Sequence, residues 1–225
     1  FKPEVKTDCK PYHKFFTQPN MVFNIPPDWN TFEDYLSCLK SKYRVRYKRA
    51  LKKGADIQSR EFKLIDIEQY ENEMFQLFKQ VANNADFSTF NLNDHYFKQL
   101  KIELKDNIYV KGYFLGDKLV GFTTLINNGH ELEAHYLGYD APTNTSTQLY
   151  LNMLYDMVKY GIEQNFSKLV FSRTAMEIKS SVGAKPENMY FYLRHQSSQK
   201  NKMVPLVLSY LTPNQEWKER NPFKD

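Results

Sequence analysis

The chain has 225 residues, a formal net charge of +5, and 41% hydrophobic and 16% aromatic residues. That is enough apolar material for a packed core, which excludes a disordered chain, and the length suits one large domain or one and a half small ones. No apolar run reaches about 18 residues, which excludes a transmembrane helix, and two cysteines, Cys9 and Cys38, are too few for a disulfide scaffold or a cysteine-built metal site. No metal is expected, and a cytoplasmic location is the simplest inference. The charge is too small to indicate nucleic acid by itself.

Residues 1–27 read as connection. Pro3, Pro11, Pro19, Pro26 and Pro27 interrupt each candidate element. Only 21–25 suits a strand, either an edge strand or the remnant of an upstream domain. A helix follows from Asn30, with Glu33 three residues on as in a capping box. Its apolar face carries Tyr35, Leu39, Tyr43, Tyr47 and Ala50, and Gly54 ends it. The opposite face is basic, with Lys42, Arg46, Arg49 and Lys53 among its cations. Such a face is either solvated or a binding surface for tRNA phosphate, anionic lipid or an anionic polymer.

The pattern predicts a strand at 58–65, helices at 67–83 and from Asn93 to about Leu104, and a loop between them with Phe87 and Phe90. Three strands come next, at 108–115, 118–126 and 131–138. Gly116-Asp117 and Asn128-Gly129 mark their turns, so they form an antiparallel meander. A loop at 139–146 leads to a long helix, 147–164. Lys168 to Phe171 reads as a buried strand, followed by a short polar helix, a strand at 189–195 and a helix within 200–211. Residues 213–225 read as a polar tail, leaving 28–212 as the domain.

Two places carry candidate chemistry. Alternation puts Glu131, Glu133 and His135 on one face of the third meander strand, with Leu132, Ala134 and Tyr136 on the other. Glu133 or His135 is then a candidate base; the alternative is a solvated sheet face or a satisfied core histidine. The strand ending at Phe171 delivers Ser172, Arg173, Thr174, Glu177 and Lys179 at its carboxyl end, where α/β sheets often place their sites. Arg173 offers a fork of donors for a carboxylate or phosphate. The alternative reading is a capped helix with surface charges. Tyr136, Tyr139, Tyr190 and Tyr192 are further proton-donor candidates.

The order of helices, meander, helix, strand, helix, strand resembles the acyl-CoA N-acyltransferase (GNAT) superfamily. Residues 108–126 are similar to its central hairpin, with Leu119-Val-Gly-Phe122 as the entry to its second strand. Within it, the chain resembles the FemAB/FemX-like and BioF2-like branch. Residues 43–50 look like that branch's basic helix, 131–140 like its fourth strand, and Glu177-Ile-Lys-Ser-Ser-Val-Gly183 like its Phe-Lys-x-x-x-Gly segment.

The resemblance implies an α/β (α+β) GNAT fold, with a central mixed, mostly antiparallel sheet flanked by helices. It implies an N-acyltransferase that moves an acyl group from acyl-CoA (acetyl-CoA) to an amine by direct attack on the thioester. Lys179 takes the place of the branch's lysine near the reacting carbonyl or its phosphate-bearing donor. The branch also admits an aminoacyl-tRNA-dependent FemX-type transferase in peptidoglycan or envelope peptide synthesis, and a non-catalytic GNAT-like binding domain. The acceptor would be a small-molecule or envelope-precursor amine, and many relatives hold a tandem second GNAT domain. One departure concerns the glycine-rich pyrophosphate loop. The equivalent segment after Gly138 has no glycine, and Asp140 and Pro142 suit an anion poorly. Tyr139, Thr143, Asn144, Thr145, Ser146 and Thr147 are left as the donors there.

Overall fold

The computed structural model describes residues 12–83, 92–211 and 216–224. Cys9 and the segment carrying Phe87 and Phe90 lie outside the described residues. Seven strands form one sheet: β1 (His13–Asn24), β2 (Ile57–Glu61), β3 (Ile108–Leu115), β4 (Lys118–Asn128), β5 (Glu131–Tyr139), β6 (Lys168–Val170) and β7 (Lys185–Leu193). Their spatial order is β2-β3-β4-β5-β6-β1-β7. Among the described strands, only β5 and β6 run parallel. The expected mixed, mostly antiparallel sheet with a meander is therefore the fold observed.

Helices cover both faces. One face carries α1 (Phe32–Cys38), α2 (Ser41–Lys53) and α7 (Leu149–Glu163), whose Tyr35, Leu39, Leu154 and Val158 pack with Phe23, Leu125, Leu132 and Leu169 of the sheet. The other carries α3 (Leu64–Gln69), α4 (Glu71–Asn83) and α5 (Tyr96–Leu104), with Ile67, Leu77, Phe78 and Phe97 against Ile108, Val110 and Phe122. The remaining helices are α6 (Ala141–Thr147), α8 (Met176–Ser180), α9 (Ser198–Asn201) and α10 (Val204–Leu211).

The largest departure from the sequence pattern is β1. It is neither connection nor an edge: it has 12 residues and lies between β6 and β7. Pro19 does not break it, because its pairing with β7 shifts register between Thr17 and Asn20, where proline's missing N–H costs no ladder bond. Two expected helices are each divided. The first starts later than expected, because the Asp34 carboxylate accepts from both Thr31 groups and the Asn30 N–H, which makes Thr31 the cap. It then breaks at Leu39, which is extended and bridges to Phe223. Lys40 N–H donates to the Pro222 carbonyl and Lys224 N–H to the Cys38 carbonyl. Residues 216–224 are therefore a strap across the molecule and not a solvated tail. Within the second expected helix a single turn residue, Tyr70, whose N–H donates to the Asp66 carbonyl, separates α3 from α4.

Strand alternation also fails in β5. Ala134 opposes Leu125 and Leu137 opposes Thr123, so His135 and Tyr136 together oppose Thr124 alone. This is a β-bulge. The buried Thr124 hydroxyl fills the gap, accepting from Tyr136 N–H (2.9 Å) and donating to the Tyr136 carbonyl (2.7 Å). As a result Tyr136 packs with Phe78 and Tyr96, on the face opposite Leu132 and Ala134.

The bulged strand lies hard against α4. A Cβ on Gly138 would sit 2.5 Å from the Leu77 carbonyl carbon and from the Phe78 nitrogen. Backbone cannot yield as a side chain can, so Gly138→Ala is expected to cost roughly 1–3 kcal/mol. The loss would appear as a lower urea midpoint at unchanged m-value. An unchanged midpoint would mean that α4 and β5 do not approach this closely.

Candidate functional site

The site begins where two parallel strands part. β5 and β6 pair over three positions only, Glu131 with Lys168, Leu132 with Leu169 and Glu133 with Val170. β5 then continues six residues to Tyr139, whereas β6 stops. Beyond Val170 the chain turns away toward β1: Phe171 N–H donates to the Met21 carbonyl and Met21 N–H to the Ser172 carbonyl. A wedge opens at the carboxyl ends of the two strands, the usual position for a ligand in such sheets.

The turn that forms one side of the wedge is strained. Ser172 and Ala175 both have left-handed backbones, with φ of 66° and 53°. Such residues cost of order 1–3 kcal/mol each and cluster at functional sites. Lys179 fixes this turn. It is 5% exposed, and its Nζ donates to the carbonyls of Phe171 (2.6 Å) and Ser172 (3.5 Å). Burial pulls its ammonium down to about 7. Arg173 is exposed, and its Nη1 donates to Thr17 Oγ1 on β1 at 3.5 Å. The sequence stretch 172–179 is thus one structural unit, with Lys179 inside it and Arg173 at its rim.

On the β5 side, Glu131 pairs with Lys168 (3.3 Å), and Glu133 accepts from Asn128 Nδ2 (2.9 Å) in the hairpin. His135 lies two residues past the last parallel pair, Glu133 with Val170. Its Nε2 is 2.7 Å from Tyr96 Oη, and its ring stacks on Tyr96. Burial lowers the His135 pKa, partly offset by the Glu133 carboxylate. Burial thus favours the uncharged ring, the form a base requires. No hydrogen bond or ring contact joins His135 to Lys179 among the described residues; the first packs on α5, the second lies in α8, whose Met176 packs on the α7 side.

The expected phosphate-gripping loop is a helix, α6. Asp140 caps it, its carboxylate accepting from Thr143 N–H (3.0 Å) and Thr143 Oγ1 (2.6 Å). Thr145, Ser146 and Thr147 donate their hydroxyls to carbonyls within the helix. Asn144 Oδ1 accepts from Tyr150 N–H and so occupies the start of α7. Tyr139 packs in a tilted contact with Tyr150, and burial raises its pKa. A helical run of Thr and Ser turned back on its own carbonyls has few donors left for an anion. The tyrosine candidates are scattered too: Tyr190 and Tyr192 lie on β7, at the far edge of the sheet.

An open cleft of about 890 Å³ lies beside the strained turn. Its walls are Lys42 and Arg46 of α2, residues 175–178, and Trp217 and Arg220 of the strap. The strap's contribution had one sequence signal, the isolated aromatics Trp217 and Phe223 in a polar stretch. Phe223 packs edge-on against Trp29 and Tyr35 and tilted against Phe23, and anchors it. Gly183, at φ 108°, admits this packing; a Cβ there would lie 2.6 Å from the Phe223 ring.

Lys179 gives a pH test. Its folded pKa lies near 7 and its unexposed-to-exposed shift ends near 10.5. Between these values the unfolded chain holds the proton that the folded chain has released, so folding stability rises with pH. The wild type should gain stability relative to Lys179→Met from pH 7 to 9, approaching about 1.4 kcal/mol per pH unit. Urea midpoints of both proteins across that range check this; parallel profiles would show that the amine is not buried uncharged.

No family model and no curated protein matches the sequence. Solved structures do match in shape. The crystal structure of FemX superposes with a TM-score of 0.58 at 13% identity, over 86% of this chain and 65% of that one. The C-terminal domain (DUF2156) of a lysylphosphatidylglycerol synthetase from Agrobacterium fabrum gives 0.56 at 10%, over 89% and 66%. L-PGS from Bacillus licheniformis gives 0.52 at 12%, over 89% and 66%. The chain thus spans about two thirds of the length of these structures. At such identities the likeness is one of fold, and it is the fold that the resemblance to the GNAT superfamily and its FemX-like branch implies.

Proposed function

We propose that the chain is an N-acyltransferase whose reaction takes place in the wedge between β5 and β6. The observation that carries this reading is the three-rung parallel pair, which opens beside a strained turn tied down by a buried lysine. Amide formation requires loss of a proton from the amine, stabilisation of the tetrahedral oxyanion and protonation of the leaving group. His135 takes the proton from the amine as the C–N bond forms, with Glu133 beside it supporting the charge that develops; as the tetrahedral intermediate collapses, the bond from the carbonyl carbon to the leaving sulfur or oxygen breaks and the imidazolium returns the proton to that leaving group. A positioned base contributes typically 10²–10⁴-fold. Backbone of β5 beyond Glu133, which β6 does not pair, faces the reacting carbonyl and its oxyanion. Lys179 acts as a positioning residue through the Phe171 and Ser172 carbonyls, and Arg173 holds an anionic group of a substrate at the rim.

The donor is acyl-CoA in the first reading, with the thioester attacked directly. A specific observation favours a second donor, aminoacyl-tRNA. The α6 turn, where CoA pyrophosphate would sit, is capped by Asp140 and has its hydroxyls engaged. The likeness in fold to FemX supports the same alternative. A tandem second domain and an envelope-precursor amine acceptor belong with that reading.

Thermal unfolding with and without acetyl-CoA separates the donors. A ligand at 100 times its Kd stabilises by about 2.7 kcal/mol. A shift with CoA esters supports the first reading; no shift, with salt-sensitive binding of charged tRNA, supports the second. With the active donor, His135→Gln is expected to lower kcat about 100-fold or more. Arg173→Ala should raise KM. Unchanged kinetics in both variants would remove the site from the wedge.

A further inference from the structure

The reaction proposed above makes no use of the cleft between α2, α8 and the strap. The cleft is open to solvent and has a volume of about 890 Å³. Lys42 and Arg46 lie four residues apart on α2, hence on one face of it, and both line the cleft. Neither has a carboxylate within ion-pair distance among the described residues. Glu177, the acid on the opposite wall, is already engaged: Arg220 donates to its Oε1 through both Nε and Nη2. That pairing holds the Glu177 carboxyl below its usual range, so it remains matched to Arg220. The cleft therefore presents two cations that form no ion pair among the described residues, beside the Arg220–Glu177 pair and a second lining carboxylate, Glu216.

The second feature is an aromatic on the strap, the half-buried Trp217; Tyr43 on the opposite side is a buried core residue with Lys42 Nζ over its ring. Beyond Trp217 the strap is fixed by Arg220 N–H to Ser180 Oγ of α8 (3.0 Å) and by Lys40 N–H, just ahead of α2, to the Pro222 carbonyl (2.8 Å). Trp217 itself packs against the core cluster at the wall of the cleft. Cations bind phosphate and aromatic faces bind rings by stacking.

We propose that this cleft binds a nucleotide, with its phosphates on Lys42 and Arg46 and its base against Trp217. The nucleotide is either a free one or the nucleotide end of a carrier such as coenzyme A. In the carrier case the inference rests on the acyl-transfer reading and places the donor's phosphates on α2, not on α6.

Trp217 supplies the readout. The protein's emission is titrated with ADP, adenosine, pyrophosphate and coenzyme A, with Trp217→Phe to isolate the signal from Trp29. ADP should quench saturably, pyrophosphate should compete, and adenosine should bind at least tenfold more weakly. A Lys42→Gln/Arg46→Gln variant with an unchanged circular dichroism spectrum should lose at least tenfold in ADP affinity. Coenzyme A binding tighter than ADP identifies the carrier as the source; equal affinity identifies a free nucleotide. ADP affinity equal in wild type and double variant overturns the inference, as does the absence of saturable binding by fluorescence and calorimetry. Acyl transfer that persists without ADP binding or competition sinks the cleft and leaves the reaction reading intact. ADP binding without transfer from any donor does the reverse.

Discussion

The shortness of the β5/β6 pairing is the constraint from which the rest of the site follows. Parallel strands normally pair along their length, with the crossover helix packed over them. Here α7 makes the crossover and covers the pair, but only three rungs form. Beyond Val170 the chain leaves β5 yet continues its antiparallel ladder with β1, at Met21. β1 also bridges β6 to β7, so the sheet stays continuous across the wedge.

Opening the wedge exposes a backbone turn that needs support, and Lys179 provides it. A buried ammonium is costly unless hydrogen-bonded, and the two carbonyls it reaches offset that cost only in part. The result is an amine pulled down to about 7 and a turn with two left-handed residues. Strain and a perturbed pKa in the same eight residues is what functional sites show more often than structural ones. The bulge in β5 is the matching device on the other side. It turns His135 and Tyr136 toward α5, and it is held by a single buried hydroxyl, Thr124.

The strap joins these parts to α2. Its anchor is Phe223, received over Gly183 and ringed by Phe23, Trp29 and Tyr35. With the anchor seated, Arg220 reaches Glu177 and Trp217 reaches the cleft. The basic helix therefore has two characters. Lys42 and Arg46 face a built cleft, whereas exposed Lys48, Arg49 and Lys53 face solvent.

The meander, the core faces of its flanking helices, and the strand-to-polar switch at Phe171 were legible in the sequence. Each depends on local periodicity or turn chemistry: Asn128-Gly129, the alternation of β3 and β4, the apolar stripe of α7. So was the identity of Arg173 and Lys179 as a unit, since they are carried on one short segment. The interior place of β1, the bulge at His135, the internal capping of α6 and the docking of the strap were not legible. Pro19 argues against a strand until β7's register shift accommodates it, and Thr143 to Thr147 resemble free donors until the helix turns their hydroxyls onto its own carbonyls. Sequence alone determined which residues are available to each element. Tertiary structure decided which of them remain unpartnered, because hydrogen bonds and ion pairs between distant segments, such as Arg220 with Glu177, have no local pattern.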